Sequence, residues 1–250
     1  MGLGRAFLWD LIELKRSGAL NGAKKIVEIG EQQIADNLMI APELPEAYRL
    51  FDCRVPPVLE PVGANNFTHS APDSLPFWMA LGLERTAIDI EGQALKLDLN
   101  RDQVPSSIRG TFDFVVNAGT TEHIANQANA FEIVHDLTRV GGVMYHEVPA
   151  GGMIDHGLIA YQPRFFHLLS QFNDYELLFL RFTAWSSSPI PDYLQDPEHG
   201  EKSVMDCSLR VALRRRSKKP FVCPLDVRSF SQVASLANRA TAKIKSIFRR

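Results

Sequence analysis

Three histidines stand where a reacting group could meet them: His123 in "TTEHI", His146 in "MYHEVP" and His156 in "MIDHGLIAYQP". Imidazole titrates closest to neutrality, so any of them placed beside a reacting hydroxyl could take up its proton. Each also has a structural use: His123 as a loop hydrogen-bond partner, His146 as a strand residue bonded to a carbonyl, His156 as part of a turn. Two aspartates close apolar runs, Asp89 in "AIDIEG" and Asp98 in "LKLDLN", with Glu91 competing for the place of Asp89. A carboxylate at a strand end can hold ligand hydroxyls or cap a turn. In "KKIVEIGEQQI", Gly30 follows a strand pattern directly and Glu28 precedes it; the missing side chain lets a ligand approach the backbone. Glu31, Gln32 and Gln33 then occupy positions where a phosphate-cradling turn would carry more glycine. His146, Glu147, Asp155 and His156 lack a metal-ligand spacing, so no metal is expected.

The elements that must position these groups read as a parallel sheet covered by helices. Strands are expected at "KKIVEIG", "RTAIDI", "FDFVVNAG", "GGVMYHEVP", "YELLFLRFTA" and "MDCSLRVALRR". Between the third and fourth of these, Ala130, Phe131, Val134 and Leu137 recur at helical spacing and Gly141-Gly142 supplies a stop, which makes a βαβ unit. A long loop rich in Pro and Ser separates the last two strands, so they are expected to be antiparallel. Asp89 and Asp98 are too close for a full crossover helix between parallel strands, so either the strand before Asp98 is a short edge piece or the intervening helix has been deleted.

The segment "LDLNRDQVPSSIRGTFDFVVNAGTTEHIANQANAFEIVHDLTRVGGVMYHEVP" resembles the second half of the class I S-adenosylmethionine-dependent methyltransferases. An acidic residue after a strand, a Phe-Asp-x-Val strand, a Glu-His-Ile step, a helix and a Gly-Gly strand follow in the family's order. The likeness runs from about Lys24 to Arg214 with an interruption, and the first glycine motif matches poorly. It implies a Rossmann-like fold: a mostly parallel seven-stranded sheet with an antiparallel terminal strand and helices on both faces. It also implies S-adenosylmethionine as cofactor. The family's binding positions then fall on Glu28, Gly30 and Glu31, on Asp89 and Ile90 for the ribose, on Asp98 and Leu99 beside the adenine, and on Asn117, Ala118 and Gly119 beneath the methionine part. The implied reaction is methyl transfer to a small-molecule or glycan acceptor, an oxygen being preferred, with His123, His146 and His156 as candidate bases and His156 favoured. The alternative is a catalytically silent module of the same fold that binds a partner through its insertion and C-terminal helix.

Composition fits this reading. In 250 residues, 27 Lys and Arg against 29 Asp and Glu leave a net charge of -2, a poor match to a surface built for phosphates, so nucleic acid is not an expected partner. Cys53, Cys207 and Cys223 lie far apart, which favours a reducing, cytoplasmic setting. Phe7, Leu8, Leu11 and Ile12 define an amphipathic helix within residues 1–23 rather than a signal peptide, since Asp10 and Glu13 interrupt the apolar run. Residues 24–220 form the main domain, with an insertion at about 41–76 that could serve as lid or substrate wall. Residues 221–250 end in a basic amphipathic helix suited to a membrane surface or a sister subunit, so a homo-oligomer is conceivable.

Overall fold

The computed structural model describes residues 2–59, 71–92, 94–151, 156–184, 189–192 and 206–226. Its first helix, α1 (Arg5–Arg16), forms because its apolar stripe has somewhere to go: Phe7, Leu8 and Leu11 are wholly buried. Strand β1 (Lys25–Ile29) follows, then the short helices α2 (Asp36–Met39), α3 (Leu44–Leu50) and α4 (Leu75–Ala80). Next come β2 (Glu84–Asp89), a two-residue β3 (Leu95–Lys96), β4 (Phe112–Ala118), a 3-10 turn (Thr121–His123) and α5 (Gln127–Leu137). The chain continues through β5 (Thr138–Gly151), α6 (Pro163–Asn173), β6 (Tyr175–Ala184), β7 (Pro189–Asp192) and β8 (Cys207–Arg215).

These strands make one sheet in the order β3-β2-β1-β4-β5-β8-β6-β7. Strands β1 to β5 pair in parallel, while β8 enters antiparallel between β5 and β6. The expected antiparallel relation of the last two long strands is therefore present, and the sheet has one strand more than expected, because β7 folds back on β6. Gly141 and Gly142 also differ from expectation. The helix stops earlier, at Leu137, where the Thr138 hydroxyl donates to Val134 O at 2.6 Å, and Gly141 (φ +82°) lies in an irregular stretch of β5.

Alternation along the strands sends apolar side chains to two cores. Ile26, Phe114, Val116 and Tyr145 face α1 to α4, whereas Val27, Val115, Met144 and Val148 face α5 and α6. The described part of the insertion contributes Leu44, Ala47 and Tyr48 of α3 to the first core, and α4 adds Phe77 and Trp78 just beyond it. Among the described residues no helix is long and apolar enough to cross a membrane. The expected C-terminal helix falls outside the described residues.

Candidate active site at the strand ends

The sheet changes direction between β1 and β4, and the crevice beyond their carboxyl ends is where open α/β sheets hold ligands. Gly30 sits there with φ +79°, its N–H donating to Ile88 O at 2.7 Å. A Cβ at this position would stand 2.3 Å from Thr120 Oγ1, so the close approach and the backbone angle both demand glycine. The turn after it is not empty. Thr120 donates its hydroxyl to Ile29 O at 2.6 Å, and the Gln32 amide folds back to donate to Ile29 O and Gly30 O at 3.2 and 3.1 Å. The side chain at Gln32 thus does for these carbonyls what a tighter glycine turn does not need.

Asp89 ends β2 beside this turn. Its Oδ2 accepts from Glu31 N at 3.0 Å, and its Oδ1 accepts from Ile90 N and Glu91 N at 2.7 and 3.2 Å. A carboxylate has about four lone-pair sites, so a place remains on Oδ2 for one ligand hydroxyl. Ile90 next to it is exposed, and the Glu31 carboxylate lies so close to Gly92 that a Cβ there would be 2.3 Å from Oε2. Gly119 (φ +81°) follows the buried Ala118 at the end of β4, its N–H bonded to Glu147 O at 2.9 Å.

Glu28 belongs elsewhere. It is wholly buried on the α1 to α4 face, where Ser74 Oγ and Trp78 Nε1 each donate to Oε1 at 2.6 Å and Arg85 Nε pairs with Oε2 at 2.8 Å. The backbone N–H of Gln32 adds a fourth contact at 3.3 Å. With these four donors on its carboxylate, Glu28 is a hub joining β1, β2 and α4. Asn117 is also turned inward: it is buried, with Nδ2 donating to Thr121 Oγ1 at 2.8 Å and Oδ1 accepting from Thr121 N at 3.2 Å. Asp98 organises its own loop, accepting from Asn100 N at 2.8 Å and pairing with Arg101 at 2.8 Å. Those bonds hold its carboxyl below the usual range. Leu99 is buried, and its carbonyl accepts from Asn129 of α5.

The three histidines separate into one and two. His146 is wholly buried between Phe131 and Phe166, with ring centroids 5.3 Å away in each case, and burial pushes its pKa down to about 3. It faces the α5 and α6 core, because residues 144, 146 and 148 of β5 share that side. The role of base does not fit it. His123 and His156, by contrast, come together, their rings 5.6 Å apart. Leu158 N and Ile159 N both donate to Glu122 O, at 2.8 and 3.1 Å, which fastens the loop after β5 onto the 3-10 turn after β4. Between the two rings lies Glu122, missed by sequence reasoning although it adjoins His123. Its Oε1 is 3.9 Å from His123 Nε2 and 3.7 Å from His156 Nε2, and burial pushes its pKa up to about 7. The discounted quartet of His146, Glu147, Asp155 and His156 does not assemble: Glu147 turns to Tyr145 on the opposite face from His146, and Asp155 lies outside the described residues. A surface groove of about 310 Å³ beside Phe131, Phe165 and Phe221 involves none of the strand-end residues.

A parallel sheet that reverses order between β1 and β4 and takes its last strand antiparallel beside β5 is the Rossmann-like fold of the class I methyltransferases. Several solved structures are similar to the chain at low identity. An S-adenosylmethionine-dependent methyltransferase from Archaeoglobus fulgidus is 10% identical, with a TM-score of 0.44 over 82% of this chain and 93% of that one. The 1,6-didemethyltoxoflavin-N1-methyltransferase of Burkholderia thailandensis, with S-adenosylhomocysteine bound, is 10% identical with a TM-score of 0.44 over 85% and 82%. The [4+2]-cyclase SpnF is 10% identical with a TM-score of 0.44 over 83% and 80%. No protein-family profile and no curated protein sequence matches the chain. Likeness at this level concerns fold alone, since one fold hosts many activities.

Proposed function

We propose that the protein is an S-adenosylmethionine-dependent methyltransferase acting on a small-molecule or glycan acceptor, with a hydroxyl as the preferred target. The observation that carries this reading is the pairing of Gly30 and Asp89 at neighbouring strand ends of a methyltransferase-type sheet, with one Asp89 lone pair left for a ribose hydroxyl. Ile90 offers an apolar surface beside it, Asp98 and Leu99 stand on the adenine side, and the backbone at Ala118 and Gly119 faces the methionine part. A bound sulfonium supplies an electrophilic methyl group. The protein must then align the acceptor opposite the departing sulfur and take up its proton. Glu122, His123 and His156 are the groups at the carboxyl ends of β4 and β5 to which that proton would pass.

A second reading, a binding module that has lost the cofactor, is favoured by one feature: Gln32 and Thr120 fill the turn after Gly30. Calorimetry with S-adenosylmethionine and S-adenosylhomocysteine separates the two. We expect binding of both, and a loss of about 2 kcal/mol, roughly 30-fold in affinity, for Asp89→Ala. Asp98→Ala should lose less, because its carboxylate is engaged by its own loop. No heat and no thermal shift at millimolar ligand would establish the binding module instead.

A further inference from the structure

We propose that Glu122, His123 and His156 form a binding site for a divalent first-row transition ion such as Fe²⁺, Mn²⁺, Co²⁺ or Zn²⁺. One ligand atom from each lies within 4.8 Å of the other two. Both imidazole Nε2 atoms approach the same carboxylate oxygen, at 3.9 and 3.7 Å. An ion with bonds of about 2.0 to 2.2 Å draws its ligand atoms to roughly 3 to 3.5 Å of one another, so side-chain rotations of about 1 Å close the set.

A second, independent observation points to a cation here: the state of Glu122. Its side chain is wholly buried, yet among the described residues neither carboxylate oxygen accepts a hydrogen bond. The other wholly buried carboxylates are treated differently. Asp10 pairs with Arg210 at 2.6 Å, and Glu28 pairs with Arg85 at 2.8 Å. Burying an anion without a partner is costly, and a divalent ion held by the carboxylate and two imidazoles would remove that cost.

The scaffold suits a preformed site. Two backbone hydrogen bonds from Leu158 and Ile159 reach the carbonyl of Glu122 itself, so the residue that supplies the carboxylate also anchors the loop that supplies His156. Gly157 packs against the Glu122 side chain, where a Cβ would be 3.0 Å from its Cγ. Two imidazoles and one carboxylate select transition ions over Mg²⁺ and Ca²⁺, which prefer all-oxygen shells. His123 is half exposed, so the remaining coordination positions open toward solvent, where a water or an acceptor oxygen can bind. This site stands whether or not the protein transfers methyl groups.

The test uses the full chain, cleared of metal with a chelator and titrated with Co²⁺. We expect one equivalent to produce a saturable visible absorption band and a rise in Tm. Glu122→Gln, which keeps the size of the side chain, should weaken Co²⁺ at least 100-fold, and His123→Asn, at a half-exposed position that can be changed without disturbing the fold, should weaken it by a similar factor. Absence of a saturable band in the wild type, or unchanged affinity in both variants, overturns the proposal. Cofactor calorimetry on the same chelator-treated protein reads the methyltransferase proposal separately.

Discussion

Two acids meet at the Gly30 turn, the buried Glu28 and the half-buried Asp89, and they play different parts because their partners differ. Glu28 receives donors from Ser74, Trp78 and Arg85, whose own side chain is only 8% exposed. Removing the acid takes the closest partner from Arg85, which keeps Asp73 at 3.3 Å and Glu31 at 3.7 Å, and leaves the buried Ser74 hydroxyl and Trp78 indole without their acceptor, so Glu28→Ala should cost about 3 kcal/mol in urea unfolding. Cofactor affinity of the folded protein should fall less than in Asp89→Ala; the reverse order would return Glu28 to the cofactor site. The sequence makes Gly30 legible, because a glycine directly after an apolar strand is a backbone demand. It does not reveal the role of Glu28, since the three donors lie about fifty residues further along the chain and converge only when α4 packs on β1. His146 could have been read more closely: in a strand apolar on both faces, every second residue of "GGVMYHEVP" must point into a core. Glu122 carried a faint signal as an acid next to His123, but its partner His156 comes from another loop.

Elements were legible in proportion to their length. The six long strands appear in the sequence as unbroken apolar runs, and α1, α5 and α6 have enough turns for a stripe to show, whereas α2, β3 and β7 are too short to generate a period. The position of β8 between β5 and β6 also depends on contacts distant in sequence. Arg210 of β8 crosses to α1, where it pairs with Asp10 and donates to Ala6 O at 2.9 Å, and Tyr145 OH of β5 donates to the same aspartate at 3.0 Å. This buried cluster fixes α1 on the sheet. Arg210→Met alone should therefore destabilise strongly by leaving the buried Asp10 with only the more distant Arg181, at 3.4 Å, while Asp10→Leu with Arg210→Met should recover most of the loss. A double-mutant cycle is expected to give a coupling of about 2 kcal/mol or more; additive single effects would show that packing, and not the ion pair, holds the helix.

At the scale of the molecule, a sheet covered on both sides forces polar strand residues into dry surroundings, and stability acquires a pH dependence there. His146 is the clearest case. Among the described residues Asn117, Phe131 and Phe166 contact it, and its lowered pKa has burial as its cause. The unfolded chain takes up a proton on this residue near pH 6.5, but the folded protein resists until about pH 3. Its contribution is thus fully present above pH 6.5 and is lost as pH falls toward 3, at about 1.4 kcal/mol per pH unit. His135, pushed down to about 4 chiefly by burial, acts with the same sign, whereas Glu122 acts in the opposite sense, so the total curve mixes several groups. Comparison with His146→Leu isolates one. The stability difference between wild type and variant, measured by urea unfolding at pH 7, 6, 5 and 4.5, should shift in favour of the variant by roughly 1.4 kcal/mol per unit below pH 6. A difference that stays constant across that range would mean that His146 takes its proton as readily in the fold as in the open chain, and that water reaches the space between α5, α6 and β5.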